Sequence, residues 1–239
     1  MPKYPPLYVY SLDNARHVGE VEQWRASHKV NIECARAIED AIKRDYQNNV
    51  LHSDCAKSVI ETYGFSRVNF ILQNSLQQCL WDDRFSQSNK EWAKSMHIPK
   101  SNVRDEYRIN AHSVILNGFV DEAREEWNKL GLFDATHCKN SDEVDNYVGK
   151  VLVLSPNSLN DEYKTPEDQL FYATGGFGCY PDKIGTKVFG FFLKDNENCS
   201  WLRSEFIGVI KDENLPDWAR ERVELYEQSL SEDEGITMS

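Results

Sequence analysis

The residues of this chain that could do chemistry gather around a glycine-rich segment, Gly175-Gly176-Phe177-Gly178, which Cys179 follows directly. Arg203 lies near the start of a strand-like segment further along. Glycines cradle phosphate groups where they lead into a helix, cysteine thiolates act as nucleophiles, and a guanidinium binds carboxylates and phosphates through two donors. The candidate ligand-binding residues are therefore Gly176, Phe177, Cys179 and Arg203.

The context of these residues favours a structural role. The glycines lead into Cys179-Tyr180-Pro181 and a further strand-like segment, and the chain contains neither G-x-x-x-x-G-K-[ST] nor G-x-G-x-x-G. A nucleophilic cysteine needs a neighbouring base, and no histidine follows His137 in the sequence. The sequence therefore predicts a tight strand connection, a buried thiol and an arginine paired with a nearby acid, and it predicts no catalytic residue.

The acidic residues are concentrated in the second half of the chain. Residues 141–239 hold 9 of the 27 Lys and Arg and 20 of the 39 Asp and Glu, a balance of −11, whereas residues 1–140 stand at −1. Such a charge repels nucleic-acid phosphates and permits binding to a basic protein surface, although solubility alone also explains acidic surfaces. The candidate partner-binding acids are Asp212, Glu213, Asp217, Glu221 and Glu224.

The cysteine pattern predicts neither a metal site nor a cofactor. The six cysteines form no C-x-x-C, and His137-Cys138 is the nearest approach to a Cys/His cluster. No apolar run approaches the ~20 residues of a membrane span, and the N-terminus lacks an apolar signal core. These features lead us to expect a cytoplasmic protein with reduced thiols.

Apolar residues at helical spacing predict a helical module over residues 1–133. We expect Ser11 to cap the start of its first helix and Gly19 to end that helix. Further helices are predicted to begin at Ser53, Ser66, Ser88 and about Ala111, residues 100–110 are predicted to form a polar link, and the aromatics of 81–86 are predicted to pack in a turn. The clearest helix has an apolar stripe formed by Val21, Trp24, His28, Ile32, Ala35, Ile38, Ile42 and Tyr46.

The second half has a different pattern. Residues 134–147 read as a polar linker, and short apolar runs at 151–154, 170–174, 187–193 and 201–210 predict four strands separated by turns. Pro216 can occupy the first turn of a closing helix over 217–230. The sequence thus predicts an α+β fold, in which a helical N-terminal module precedes a small antiparallel β-sheet module with a C-terminal helix at 148–231, followed by a tail at 232–239.

Several distinctive short motifs are spread over most of the chain. They include Tyr10-Ser11-Leu12-Asp13-Asn14-Ala15-Arg16, Trp81-Asp82-Asp83-Arg84-Phe85-Ser86, Thr174-Gly175-Gly176-Phe177-Gly178-Cys179 and Leu215-Pro216-Asp217-Trp218-Ala219. Together they resemble an uncharacterised bacterial domain family found in proteins of conjugative and integrative mobile elements. The resemblance brings no catalytic residue with it, and it implies a setting on mobile DNA in which accessory proteins often counter host defences.

Three functional hypotheses follow. The leading one is a non-catalytic interaction protein of a mobile genetic element, such as an anti-restriction or anti-CRISPR inhibitor that binds a basic nuclease surface through its acids. The second is an enzyme acting on a small molecule or nucleic acid near the glycine turn. The third is a nucleic-acid-binding module whose basic helix face, weakened by interspersed acids, comprises Arg25, Lys29, Arg36 and Lys43.

Overall fold

The computed structural model describes residues 4–48, 50–95, 98, 103–140, 143–180 and 183–236, the last six of these by backbone alone. The chain divides into two compact units, Met1–Lys129 and Leu130–Ser239. The first unit is mainly helical, and the second combines an antiparallel sheet with a C-terminal helix. The predicted α+β class is therefore confirmed.

The first unit is built from helices whose apolar faces share one core. Ser11 caps the first helix by accepting a hydrogen bond from the Asn14 N–H, and Gly19 ends it in the left-handed conformation, as predicted. The long second helix buries Trp24 and Ile38 on its predicted stripe. The helices are α1 Leu12–Val18, α2 Val21–Asp45, α3 Lys57–Tyr63, α4 Phe65–Gln77, α5 Gln87–Ser95 and α6 Ser113–Asn128.

Three predicted helix starts were wrong. Helix α3 begins at Lys57, after a turn that contains Ser53. Helix α5 begins at Gln87, and its first turn is capped by Ser86, which accepts a hydrogen bond from the Asn89 N–H. Helix α4 begins before Ser66, because Gly64, with φ of +81°, ends α3 and turns the chain directly into α4. A short hairpin, β1 Tyr46–Gln47 and β2 Val50–Leu51, was not predicted.

The second unit contains five strands in the order β6-β5-β4-β3-β7, all antiparallel to their neighbours. The fourth predicted strand, 201–210, is in fact two strands at opposite ends of this order, separated by a turn of 3-10 helix at Arg203–Glu205. The strands are β3 Lys150–Leu154, β4 Leu170–Gly175, β5 Lys187–Phe192, β6 Asn198–Leu202 and β7 Phe206–Val209.

The sheet is strongly curled. The chain from Leu202, at the end of β6, to Phe206, at the start of β7, can span about 14 Å at most. In a flat sheet these two edge strands would lie about 19 Å apart, so the short connection requires the sheet to curl. On the inner face, the rings of Phe171 and Phe206 lie 5.4 Å apart although β3 separates their strands. The inner face therefore forms one compact core, and the outer face forms a second core under the final helix.

The final helix, α7 Asp217–Ile236, runs past its predicted end at residue 230 and into the predicted tail, of which residues 237–239 lie outside the described part. It packs Ala219, Val223 and Tyr226 against the outer face. The described residues of the predicted linker, 134–140 and 143–147, are bonded to this unit. Cys138 bridges to Ile210, and the Tyr147 N–H donates to the Cys179 carbonyl, because main-chain groups near a sheet must find partners.

Candidate functional site

The structure brings the four candidate ligand-binding residues together at one corner of the sheet. The Arg203 guanidinium donates from Nε to the Gly178 carbonyl at 2.6 Å, and from Nη2 to the carbonyls of Phe177 at 3.1 Å and Gly185 at 3.2 Å. Nη2 also donates to the Tyr180 carbonyl. The arginine therefore holds the glycine loop against the strands by donating to main-chain carbonyls.

The glycines allow this loop to approach β5 closely. Gly176 has φ of +100°, and a side chain there would lie 2.5 Å from the Lys187 carbonyl oxygen and 2.8 Å from Phe189. Gly178 is similarly tight against Thr186 and Lys187. Because the loop continues into a single turn of 3-10 helix, Phe177–Cys179, its N–H groups do not lead into an α-helix of the kind that binds phosphate.

Cys179 is a buried thiol. Its side chain has no exposed surface, and its Sγ donates to the Gly175 carbonyl at 3.0 Å. Burial raises the pKa of this thiol, so the nucleophilic thiolate is disfavoured. All six cysteines are free thiols, and the part of the chain that the structure describes holds no group of three or more His, Cys, Asp or Glu residues arranged for a metal ion.

Around the loop, large apolar side chains face solvent. Phe177 is 72% exposed and Ile184 is fully exposed, while Phe189 and Leu202 are each a little less than half exposed. Phe177 packs on Gly185, and Phe189 covers Gly176, so these two side chains both lie against the glycine loop. Contiguous exposed apolar surface on a rigid frame is typical of protein-binding sites rather than of small-molecule pockets.

The five candidate partner-binding acids are all exposed, but they do not form one cluster. Asp212 pairs with Lys139 at 3.1 Å, and Glu213 lies beside it in the loop before α7. Asp217, Glu221 and Glu224 recur at helical spacing on α7, on the side opposite its buried residues. None of these three carboxylates forms an ion pair with a described residue, so their charge is directed entirely at solvent.

The structure shows a further cleft that the sequence analysis missed. About 190 Å³ of space lies in the first unit between the segment 79–85 and the start of α6. Phe85 is buried as predicted, but Trp81, predicted to pack, is 76% exposed on the rim, where Arg108 and His112 are also exposed. Side chains from α4, the turn and α6 meet here, and sequence spacing does not reveal such a meeting.

Asp82, which lines this cleft, links the turn to α6 through hydrogen bonds. Its carboxylate accepts hydrogen bonds from Arg84 Nε at 2.9 Å, Arg84 Nη2 at 2.7 Å and Ser113 Oγ at 2.6 Å. These bonds, led by those from Arg84, hold the pKa of the Asp82 carboxyl well below its ordinary value. Asp82 is therefore ionised at neutral pH and anchors Arg84 and α6.

We expect Asp82→Asn to lower the stability of the first unit near neutral pH. A carboxyl whose pKa is depressed by folding stabilises the protein above its unfolded pKa of about 3.9, and this contribution is lost as the pH falls toward the folded value. The difference in urea midpoint between variant and wild type should be constant from about pH 7 to pH 5 and shrink below about pH 4. Asp83→Asn, at a fully exposed carboxylate beside it, is the control. A difference that persists at acid pH would contradict this account.

The basic helix face in the first unit is largely balanced by acids. Arg25 pairs with Glu22 at 2.6 Å, and Lys43 pairs with Asp40 at 3.5 Å. These exposed pairs along α2 reduce the positive field that phosphate binding requires. The face therefore gives the nucleic-acid-binding hypothesis little support.

The fold and these sites define a two-unit α+β protein with a buried thiol, a clamped glycine loop and an acidic final helix. The chain belongs to the family described as "Protein of unknown function (DUF3849)", whose model matches residues 7–128. The match covers the helical first unit almost completely. No curated protein and no solved structure matches the chain. Among the described residues, no helix is both long enough and apolar enough to cross a membrane.

Proposed function

We propose that this chain is a non-catalytic interaction protein whose second unit binds a basic protein surface. The observation that carries the proposal is the stripe formed by Asp217, Glu221 and Glu224 along the solvent side of α7. The helix is held in place by the burial of its other side, so the three charges keep a fixed spacing. A rigid row of carboxylates complements a basic groove and steers its approach.

The chemistry of the glycine corner supports a binding role rather than an enzymatic one. The thiol of Cys179 is buried and the guanidinium of Arg203 is engaged by loop carbonyls, so the two reactive groups of the enzyme hypothesis are both used to build the loop. The exposed side chains of Phe177 and Ile184 add apolar area to the surface of the same unit. Apolar anchors surrounded by polar groups are typical of protein interfaces.

The resemblance to mobile-element proteins points to a partner class. We infer that the partner is a host defence nuclease of the restriction or CRISPR type, because such an enzyme carries a basic groove for nucleic acid that an acidic surface can occupy. The protein would then compete with the nucleic acid for that groove, and the competition would weaken as salt is raised.

We expect simultaneous reversal of Asp217, Glu221 and Glu224 to lysine to weaken inhibition of DNA cleavage by at least about tenfold, because three charge pairs become repulsive. The measurement is cleavage by a panel of purified restriction and CRISPR nucleases at two salt concentrations. The matched control reverses three exposed acids elsewhere in the chain, namely Glu61, Asp105 and Glu162. Equal inhibition by both triple variants would remove the acidic-stripe proposal, and no inhibition of any nuclease by the wild type would remove the counter-defence role.

A further inference from the structure

Strand β6 forms an open edge of the sheet. The Phe192 N–H donates to the Glu197 carbonyl at 3.1 Å, and the Arg203 N–H donates to the Thr186 carbonyl at 2.7 Å. The odd-numbered residues between them therefore face β5. In an antiparallel ladder this alternation turns the N–H and C=O groups of Asn198 and Ser200 away from β5, and both residues are exposed.

The edge lacks the usual protection against strand addition. Natural edges are guarded by charged side chains, by proline or by a bulge. The strand Asn198–Leu202 contains no charged residue and no proline, and its register with β5 is uninterrupted. Within the described part of the chain, one outward donor of β6 is already used, because the Leu202 N–H donates to Glu205 Oε2 at 2.7 Å. The main-chain groups of Asn198 and Ser200 are thus available to another strand.

Helix α7 crosses the outer face of the sheet toward this edge. A row of neighbouring residues on that face runs from one edge to the other and comprises Ile210, Val151, Tyr172, Phe191 and Asn198. At the start of α7, Arg220 Nη2 donates to the Asp212 carbonyl at 2.8 Å, two residues after Ile210. Further along, the Tyr226 ring lies 5.3 Å from that of Tyr172 and 4.8 Å from that of Phe191. The helix therefore runs along the row, across the strands.

The last turns of α7 extend beyond β6. The helix continues from Tyr226 to Ile236, ten residues that span about 15 Å, whereas β6 lies only about 4.8 Å beyond β5. Leu230 is one turn after Tyr226 on the sheet-facing side of the helix, yet it is 48% exposed. A sixth strand beside β6 would lie beneath this overhang and cover Leu230.

The charges around the edge are mainly acidic. Asp195 and Glu197 precede β6 and Glu205 follows it. Of the basic residues nearby, Arg203 is turned into the glycine loop, Lys194 pairs with Asp168 at 2.8 Å, and Lys187 is exposed opposite Leu202. The overhanging turns of α7 also carry Glu232, Asp233 and Glu234 in their sequence. A strand that adds here is therefore favoured if it is basic.

We propose that β6 binds an extended basic segment of a partner protein, which adds to the sheet as a sixth strand beneath the end of α7. The inference rests on the proposed function and specifies which kind of segment of the partner binds. Main-chain bonds to Asn198 and Ser200 supply the pairing. Alternate apolar side chains of the segment contact Leu202 and Leu230, and its lysines or arginines meet the surrounding acids.

The test uses the full chain and a fluorescein-labelled octapeptide of alternating Lys and Val, with binding followed by fluorescence anisotropy. The comparison peptide has the same side chains and charge but is N-methylated at alternate residues, which removes its main-chain donors on one edge. We expect the unmethylated peptide to bind saturably and the methylated peptide to bind about tenfold more weakly, since several main-chain hydrogen bonds are lost. This comparison does not depend on the folding of any variant.

Protein variants locate the site. Ser200→Pro removes a donor that faces away from β5, so the internal ladder is kept, and it should weaken binding of the unmethylated peptide about fivefold to tenfold. Ser200→Ala, which keeps the N–H, should bind as the wild type does. Equal binding of the two peptides, or no binding of either, overturns strand addition. The acidic-stripe proposal is judged separately by the nuclease assay, so the two can fail independently.

Discussion

Replacing Arg203 with alanine is expected to lower the free energy of unfolding of the second unit by about 2–4 kcal/mol, because hydrogen bonds from a charged donor are worth about 1.5–3 kcal/mol each and the carbonyls are only partly rehydrated. The guanidinium is the common donor to the carbonyls of Phe177, Gly178 and Gly185, and so it closes the loop onto β5. The loss should appear as faster amide hydrogen exchange in the glycine loop and in β5, measured by mass spectrometry, and as a lower urea midpoint.

Two variants make this expectation specific. Arg203→Lys keeps the charge but has one terminal nitrogen in place of the planar fork, so it should recover only part of the lost stability. Arg222→Ala removes an exposed arginine from α7 and should change stability by less than about 0.5 kcal/mol. If Arg203→Ala lowered stability no more than Arg222→Ala does, the hydrogen bonds of Arg203 would not stabilise the loop.

Replacing Arg67 with alanine is expected to destabilise the first unit by about 3–5 kcal/mol, because several hydrogen bonds from a buried charged donor are lost and each is worth about 1.5–3 kcal/mol. Arg67 is only 3% exposed within α4. It donates to the Ser27 carbonyl at 3.2 Å and to Asn31 Oδ1 on α2, and to the Pro5 carbonyl at 2.6 Å. The single side chain thus ties α4, α2 and the N-terminal segment together, and its removal leaves buried acceptors without their donor.

The measurement is urea unfolding of the full chain, with hydrogen exchange to assign the loss to the first unit. We expect exchange to accelerate in α2 and α4 while β3 and β4 stay unchanged. Arg36→Ala, at an exposed position on α2, is the matched control and should be neutral within about 0.5 kcal/mol. An Arg67→Ala protein with wild-type stability would show that the network is dispensable.

Partners distant in sequence account for most of what the sequence analysis missed. His28 belongs to the predicted apolar stripe of α2, but its Nδ1 lies 2.6 Å from the hydroxyl of Tyr107, and its ring stacks on Trp24 at 4.6 Å. Tyr107 itself falls in the segment predicted as a polar link, yet it is almost fully buried. A segment with few apolar residues can still enter a core when one aromatic finds polar partners there.

Arg203 and Trp81 show the same limit. Arg203 was expected to pair with an acid, because a sequence rich in acids makes that pairing the commonest one. Its guanidinium donates to main-chain carbonyls of a loop, and carbonyls carry no residue-specific signal in a sequence. Trp81 was expected to pack, and only the arrangement of the surrounding helices leaves it on the rim of a cleft.

The acidic, two-part character of the protein and the class of its fold were readable from the sequence alone, because they depend on composition and on the local periods of helix and strand. The first helix with its caps, the stripe of α2, the strands β3, β4 and β5 and the acids on α7 follow from the same local rules. The tertiary structure alone decided that the segment 201–210 splits into strands at opposite ends of the sheet order, that Arg203 clamps the glycine loop, and that α7 runs past an open edge. Each of these depends on which distant main-chain groups meet when the sheet curls, and that meeting is set by packing rather than by any local pattern.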